Sequence, residues 1–210
     1  MKLARLQKNA HIEPYWHVQL AVLLAIGLEL LLSSQLTVIS KYIVALGELG
    51  LLIALSVFSR QQGLLRLRRG LAMVLIAVIS AANISSLLLI VGELLSASAH
   101  NGRELLVSGL AIYLTNIIMF GLWYWELDSA NDAGTDGRPD FMFAQSNQAT
   151  SKWRPTFFDY LYVSTTNASA FSPTDTLPLT HRAKALMTLQ ALTALLTVAL
   201  VAARAVNILA

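Results

Sequence analysis

The sequence predicts an all-α membrane protein with five transmembrane helices and, just ahead of the last of them, a re-entrant half-helix and loop. Three observations carry that prediction. The chain is 56% hydrophobic and only 13% charged, with a mean hydropathy of +0.60, far from the balance of a soluble domain. Its apolar residues fall into runs near the ~20 residues that a ~30 Å hydrocarbon layer demands, separated by short polar connections. Lysines and arginines gather at the ends of those runs, where a topology signal belongs.

The first run covers residues 15–33. Lys2, Arg5 and Lys8 precede it as in a signal peptide, but no Ala-x-Ala-like site closes it and Tyr15-Trp16 marks an interface. It is therefore expected to stay as a span, with Glu29 inside. The second span covers residues 41–59 and contains Glu48. Arg60, Arg66, Arg68 and Arg69 then form the densest basic cluster, expected to lie along anionic headgroups on the cytoplasmic side. The third span, residues 70–96, holds Asn83, Ser85, Ser86 and Glu93. Together residues 1–103 form a three-span bundle.

Residues 104–210 read as a second module. An outer helix (104–127) closes on Trp123-Tyr124-Trp125, an expected aromatic girdle. A polar loop (128–155) follows, with Asp128, Asp132, Asp136 and Asp140 among glycines and a proline. That pattern lacks the closer ligand spacing and terminal Glu of a Ca²⁺ loop, so no metal is expected. Phe141-Met142-Phe143 is expected to touch the interface. The re-entrant half-helix and loop (156–175) begins after Pro155, where Thr156 and Asp159 make a capping box. A helix from Phe157 to about Thr165 reaches only ~14 Å, half the hydrocarbon thickness. Non-helical backbone through Thr166, Asn167, Ala168, Ser169 and Ala170 would then need shelter by protein or water. The inner helix (180–209) starts at Thr180 and carries His181, Arg182 and Lys184 in its first turns, against its own dipole, with anionic headgroups or Asp175 as the expected compensation.

At these residues a resemblance appears. A short aromatic helix, Thr165-Thr166, small residues, a proline, a polar turn and a final helix resemble the pore module of tetrameric, potassium-channel-like cation channels. The resemblance places Thr166-Asn167-Ala168-Ser169-Ala170 opposite the potassium filter, and without filter glycines it implies no potassium selectivity. The segment is also similar to a family of uncharacterised bacterial multi-pass membrane proteins sharing an Asn-Ala-(Ser/Thr)-Ala-Phe-Ser-Pro-Thr-Asp loop and an Ala-Val-Asn ending. Together these imply a homo-oligomer, plausibly a tetramer, in a bacterial inner membrane, with Thr165, Thr166, Asn167, Ala168, Ser169 and Ala170 around a constriction.

Counting Lys and Arg puts the amino terminus in the cytoplasm and the carboxyl terminus outside, with Lys41 and Arg103 left on the outer face. Glu29, Glu48, Glu93 and Arg204 then fall at similar depth in four spans, an intramembrane charge cluster. Ionisable groups there are expensive and point to function. One arginine cannot neutralise three carboxylates, so the cluster is expected either to hold a Glu48–Arg204 or Glu93–Arg204 bridge or to bind protons or cations. Asn83, Asn116 and Gln190 are expected to bond between helices.

The absence of cysteine excludes disulfides, thiolate metal sites and cysteine nucleophiles. No nucleophile elbow, phosphate-binding glycine loop or His-Glu-x-x-His pattern occurs, so no enzyme and no cofactor is expected. A net charge of +3 concentrated at span ends gives no nucleic-acid face. The expected function is ion-channel-like: a weakly selective cation pore in the lipid bilayer. The alternatives are a non-conducting scaffold that binds lipid or a partner, and a proton-coupled small-solute transporter using Glu48 and Glu93.

Overall fold

The computed structural model describes residues 16–32, 36–58, 65–95, 102–131, 139–147, 153–170 and 175–209. Helices dominate them: α1 (Trp16–Leu30), α2 (Lys41–Phe58), α3 (Leu65–Leu95), α4 (Gly102–Asn131), α5 (Phe157–Ala170) and α6 (His181–Leu209). Between α4 and α5 lie a short strand β1 (Phe141–Met142) and a 3-10 turn (Ala144–Asn147). Strand β2 (Leu177–Pro178) pairs antiparallel with β1, Phe141 opposite Pro178 and Met142 opposite Leu177. The all-α expectation holds.

Among the described residues three helices, α3, α4 and α6, are long and apolar enough to cross a membrane. Their 31, 30 and 29 residues reach about 45 Å at 1.5 Å per residue. The 15 and 18 residues of α1 and α2 reach about 22 and 27 Å, and the 14 of α5 about 21 Å.

Helix α4 is central, with α1, α3, α5 and α6 all packed on it. Its Met119, Phe120, Leu122 and Tyr124 join Val22 and Ala25 of α1, Leu75 and Ile79 of α3, Val163 of α5 and Met187 of α6 in the main core. A second cluster, Leu36, Leu87, Ile90, Leu105 and Ile112, fills the opposite end. Polar cross-links fix the directions of the helices. Gln19 donates to Ser56 Oγ at 2.8 Å, Trp123 Nε1 to Ser80 Oγ at 2.9 Å, and Asn83 Nδ2 to the Ile112 carbonyl at 3.0 Å. Helices α1 and α2, and α3 and α4, therefore run antiparallel, and Val18, Leu55, Arg68 and Glu126 line one cavity, so the starts of α1 and α3 share one end of the bundle with the ends of α2 and α4. Both α5 and α6 begin at that same end and run antiparallel to α4.

Several boundaries differ from the sequence expectation. Helix α5 continues through Ala170 instead of stopping near Thr165: small residues offer no steric break, and the Ser and Thr hydroxyls are satisfied on preceding carbonyls of the same helix, so they offer the backbone no alternative to it. Helix α3 begins at Leu65, so Arg68 and Arg69 stand in its first turns. The aromatic triplet is not a girdle: successive helical residues point about 100° apart, and Tyr124 turns fully inward. Phe141 and Phe143 are buried against protein too. Lys2, Arg5, Lys8, Arg60, Asp132, Asp136, Phe171 and Pro173 lie outside the described residues.

The outer faces are apolar. Leu20, Leu23 and Leu24 of α1, Tyr42, Ile43 and Leu46 of α2, and Leu192, Leu195 and Leu196 of α6 are all exposed, a surface that water does not tolerate over such an area.

At two glycines α4 comes close to its neighbours. A Cβ on Gly121 would lie 3.2 Å from Leu161 Cα, and one on Gly109 would lie 2.5 Å from Val201 Cγ2. Gly121→Leu is expected to destabilise the protein by about 1–3 kcal/mol because α5 backbone must move, measured by unfolding in detergent. Gly109→Ala meets only a side chain, so Val201→Ala in the same molecule is expected to restore most of its loss. Wild-type stability in Gly121→Leu would contradict the close packing of α4 on α5.

Candidate functional site

The start of α5 is set by its cap. Asp159 Oδ2 accepts from Thr156 N at 2.7 Å and from Thr156 Oγ1 at 2.8 Å, the reciprocal half of the capping box read from the sequence. From there α5 enters the groove between α4 and α6, and its inward side becomes polar at Ser164 and Asn167.

A single amide organises that groove. Gln190 of α6 is 0% exposed, and each of its four bonding positions is used. Its Oε1 accepts from Tyr124 Oη at 2.6 Å and from Asn167 Nδ2 at 2.9 Å. Its Nε2 donates to Ser164 O at 2.9 Å and Ser164 Oγ at 2.6 Å. Ser164 Oγ passes the chain on to the Ile117 carbonyl at 2.6 Å, and Asn167 Nδ2 also reaches the Met187 carbonyl at 2.9 Å. Three helices are thus tied by one side chain. One turn further along α6, Asn116 Nδ2 donates to Thr193 Oγ1 at 2.8 Å, while Asn116 Oδ1 is buried without a partner.

A second cluster closes the open end of this groove. Asp128, at the end of α4, accepts from the Asp140 backbone N–H and from Tyr160 Oη, both at 2.5 Å. Asp140 accepts in turn from the Thr180 hydroxyl and forms a two-pronged pair with Arg182, Nε at 2.8 Å and Nη2 at 2.7 Å. The Leu179 amide donates to the Asp140 carbonyl at 2.8 Å, extending the β1–β2 pairing. Phe141 and Phe143 meet Tyr160 edge-on, with centroids 6.0 and 5.3 Å apart, and Trp153 packs on Phe143. The charge that offsets Arg182 at the start of α6 is therefore Asp140, not Asp175. Asp128 and Asp140 are committed to these bonds, and among the described residues no acidic, His or Cys group of three or more is placed to hold a metal.

The six filter-like residues divide between two sides of one helix. Asn167 (3% exposed) and Ala168 face the protein, whereas Thr165, Ser169 and Ala170 are exposed and Thr166 is half-buried. Thr165 Oγ1 donates to Leu161 O at 2.8 Å, Thr166 Oγ1 to Val163 O at 3.0 Å and Ser169 Oγ to Thr165 O at 2.8 Å. In this helical form the carbonyls at 161, 163 and 165 already accept bonds and are not splayed toward an ion.

Of the four charges grouped by depth in the sequence, two meet between α1 and α2. Glu29 and Glu48 face each other there, and Glu48 makes no bridge to Arg204. Arg204 instead lines a small cavity with Leu87, Ile90, Leu105, Gly109 and Thr197, between α3, α4 and α6. Sequence reading singled out neither Glu126, buried near the end of α4 with Arg69 Nε 3.7 Å away, nor Tyr124 as a hydrogen-bonding residue. An acidic residue one step past the last apolar turn of α4, opposite the arginines that open α3, was the available signal for Glu126.

Comparison with protein-family models, curated proteins and solved structures finds no match to this chain.

Gln190→Leu would remove the acceptor of Tyr124 Oη and one or more bonds each from Ser164 and Asn167 in an apolar groove. It is expected to cost on the order of 2–3 kcal/mol, read by unfolding in detergent. Asn116→Leu removes one bond and one unpartnered oxygen, and is expected to cost less than half as much. Equal effects of the two substitutions would remove Gln190 from its central place.

Proposed function

We propose that the chain is a multi-pass integral membrane protein of five crossings in which α5 is a re-entrant half-membrane helix. Several copies, four by the pore-module resemblance, assemble around that helix and pass a small inorganic cation with weak selectivity. Passage rather than catalysis is the activity. The observation that carries this reading is the two-sided character of α5. Its inner side is locked to α4 and α6, while Phe158 (73% exposed), Tyr162, Thr165 and Ser169 make an outward stripe at helical spacing.

Three features support the assignment. By residue 177 the chain is back beside Met142, at the end of the bundle where α5 began, which suits a helix that dips in and returns. A hydroxyl that donates to its own helix presents only lone pairs outward, so Thr165 and Ser169 offer acceptors to whatever faces them, which suits a cation. The C-terminal end of α5 carries the negative end of the helix dipole beside those hydroxyls.

A bacterial inner membrane, amino terminus inside, follows from the positive-inside count and the family resemblance. Arg68 and Arg69 at the start of α3, and Arg182 and Lys184 at the start of α6, gather at one end of the bundle and suit that orientation. A second reading, a non-conducting protein that holds lipid or a partner, is favoured by the inward turn of Asn167 and by the occupied α5 carbonyls.

Liposome flux separates the two. Thr165→Val combined with Ser169→Ala is expected to lower cation flux several-fold while leaving the oligomer and its stability intact, since both sites are exposed in the protomer. Protein that is monomeric in mild detergent and in lipid, or flux unchanged by the double substitution, would contradict the pore.

A further inference from the structure

Two carboxylates meet where nothing among the described residues neutralises them. Glu48 of α2 is 0% exposed and neither of its oxygens has a hydrogen-bond partner, while Glu29 of α1, 7% exposed, faces it closely enough for one carboxyl to bond the other. Their surroundings are apolar: Ala25 and Ile26 on α1, Ala45 and Leu52 on α2.

Among the described residues the neighbouring elements supply no counter-charge. Lys41, two turns outward on α2, spends its ammonium on the Leu30 and Leu32 carbonyls at 3.0 and 2.7 Å. On α3, Asn83 is turned to Ile112 and Ser86 is neutral, with Glu93 further outward; on α4, Arg103 and Glu104 stand in the first turn. The charged side chain acting on Glu48 is Glu29, and the one acting on Glu29 is Glu48.

Two ionised carboxylates in contact inside an apolar helix pair repel each other and lack any donor. A metal cation there would need more oxygens than two side chains supply, since the surrounding helical carbonyls are used, and among the described residues no third acidic, His or Cys ligand joins the pair. A proton needs only two oxygens. Placed between the carboxyls it makes one of them a donor to the other, satisfies oxygens that otherwise have no partner, and removes one of two buried charges.

We propose that Glu29 and Glu48 form a proton-binding site that holds one proton between them, exchanged through Glu29. One proton from solvent converts the doubly charged pair to a singly charged one, and release reverses that step. Glu29 sits near the end of α1 and is the more accessible of the two, so it is the exchange side; Glu48 is the buried partner. The site lies on α1 and α2, apart from α5, and stands whether or not the α5 stripe lines a pore.

Infrared titration of the protein in lipid nanodiscs tests it. The wild type is expected to show a protonated-carboxyl carbonyl band that persists at pH 7 and is lost in one step on raising the pH. The double variant Glu29→Gln, Glu48→Gln should lack that band. Each single variant should shift its position and titration midpoint, since the remaining carboxyl then bonds an amide. The proposal is overturned if the wild type shows no such band at pH 7, if the band survives unchanged in the double variant, or if both single variants titrate as the wild type does. The wild-type titration decides the first point without any variant, and Gln keeps the shape of Glu, so loss of fold does not mimic loss of the proton.

Discussion

The arrangement of α4, α5 and α6 depends on one primary amide in a place without water. Gln190 cannot leave its four bonding positions empty in an apolar groove without a penalty of ~1–3 kcal/mol for each group left unpaired. Tyr124, Ser164 and Asn167 fill them from two other helices. Because each partner is itself fixed by the helix that carries it, α5 has one depth and one rotation that satisfy the set. A helix of 14 residues, too short to be held by crossing a bilayer, is held by this amide.

The rotation so imposed decides what α5 shows to the outside. With Asn167 and Ser164 turned to Gln190, helical geometry sends Phe158, Tyr162, Thr165 and Ser169 the other way. Any oligomer built on this face must meet an aromatic band near the cap and hydroxyls near the C-terminal end. The return path is fastened separately. Asp140 ties the polar loop to Arg182 and Thr180 at the start of α6, and Asp128 ties the same loop to Tyr160. The loop before α5 and the chain after it are therefore bound to each other, so the excursion of α5 begins and ends at one place.

Much of the scaffold was legible in the sequence, and the reason is local. Apolar runs, the Thr156–Asp159 cap and the Thr180 start are written within a few residues of where they act. Asn83, Asn116 and Gln190 stood out as lone amides in apolar helices and each proved to bond between helices. The direction of Asn167 was not legible, because its partner lies 23 residues away and the small residues around it in the second half of α5 leave no amphipathic face to read. The same holds for Asp140 and Arg182, 42 residues apart. Glu29, Glu48, Glu93 and Arg204 shared a depth on paper, but depth alone says nothing of which side of a helix a residue occupies. Rotation separated Glu48 from Arg204 and set it against Glu29.

The proposal most exposed to test is that the Gln190 amide holds α5 partway into the bilayer, cap at the surface and Ser169 toward the middle. The chain has no cysteine, so single cysteines at positions 158, 162, 165 and 169 can each carry one nitroxide. Power-saturation measurements in lipid vesicles should then show oxygen contact rising and contact with a water-soluble nickel chelate falling from 158 to 169. Uniformly high contact with the chelate at all four positions would mean that α5 lies on the water side, and would contradict this account.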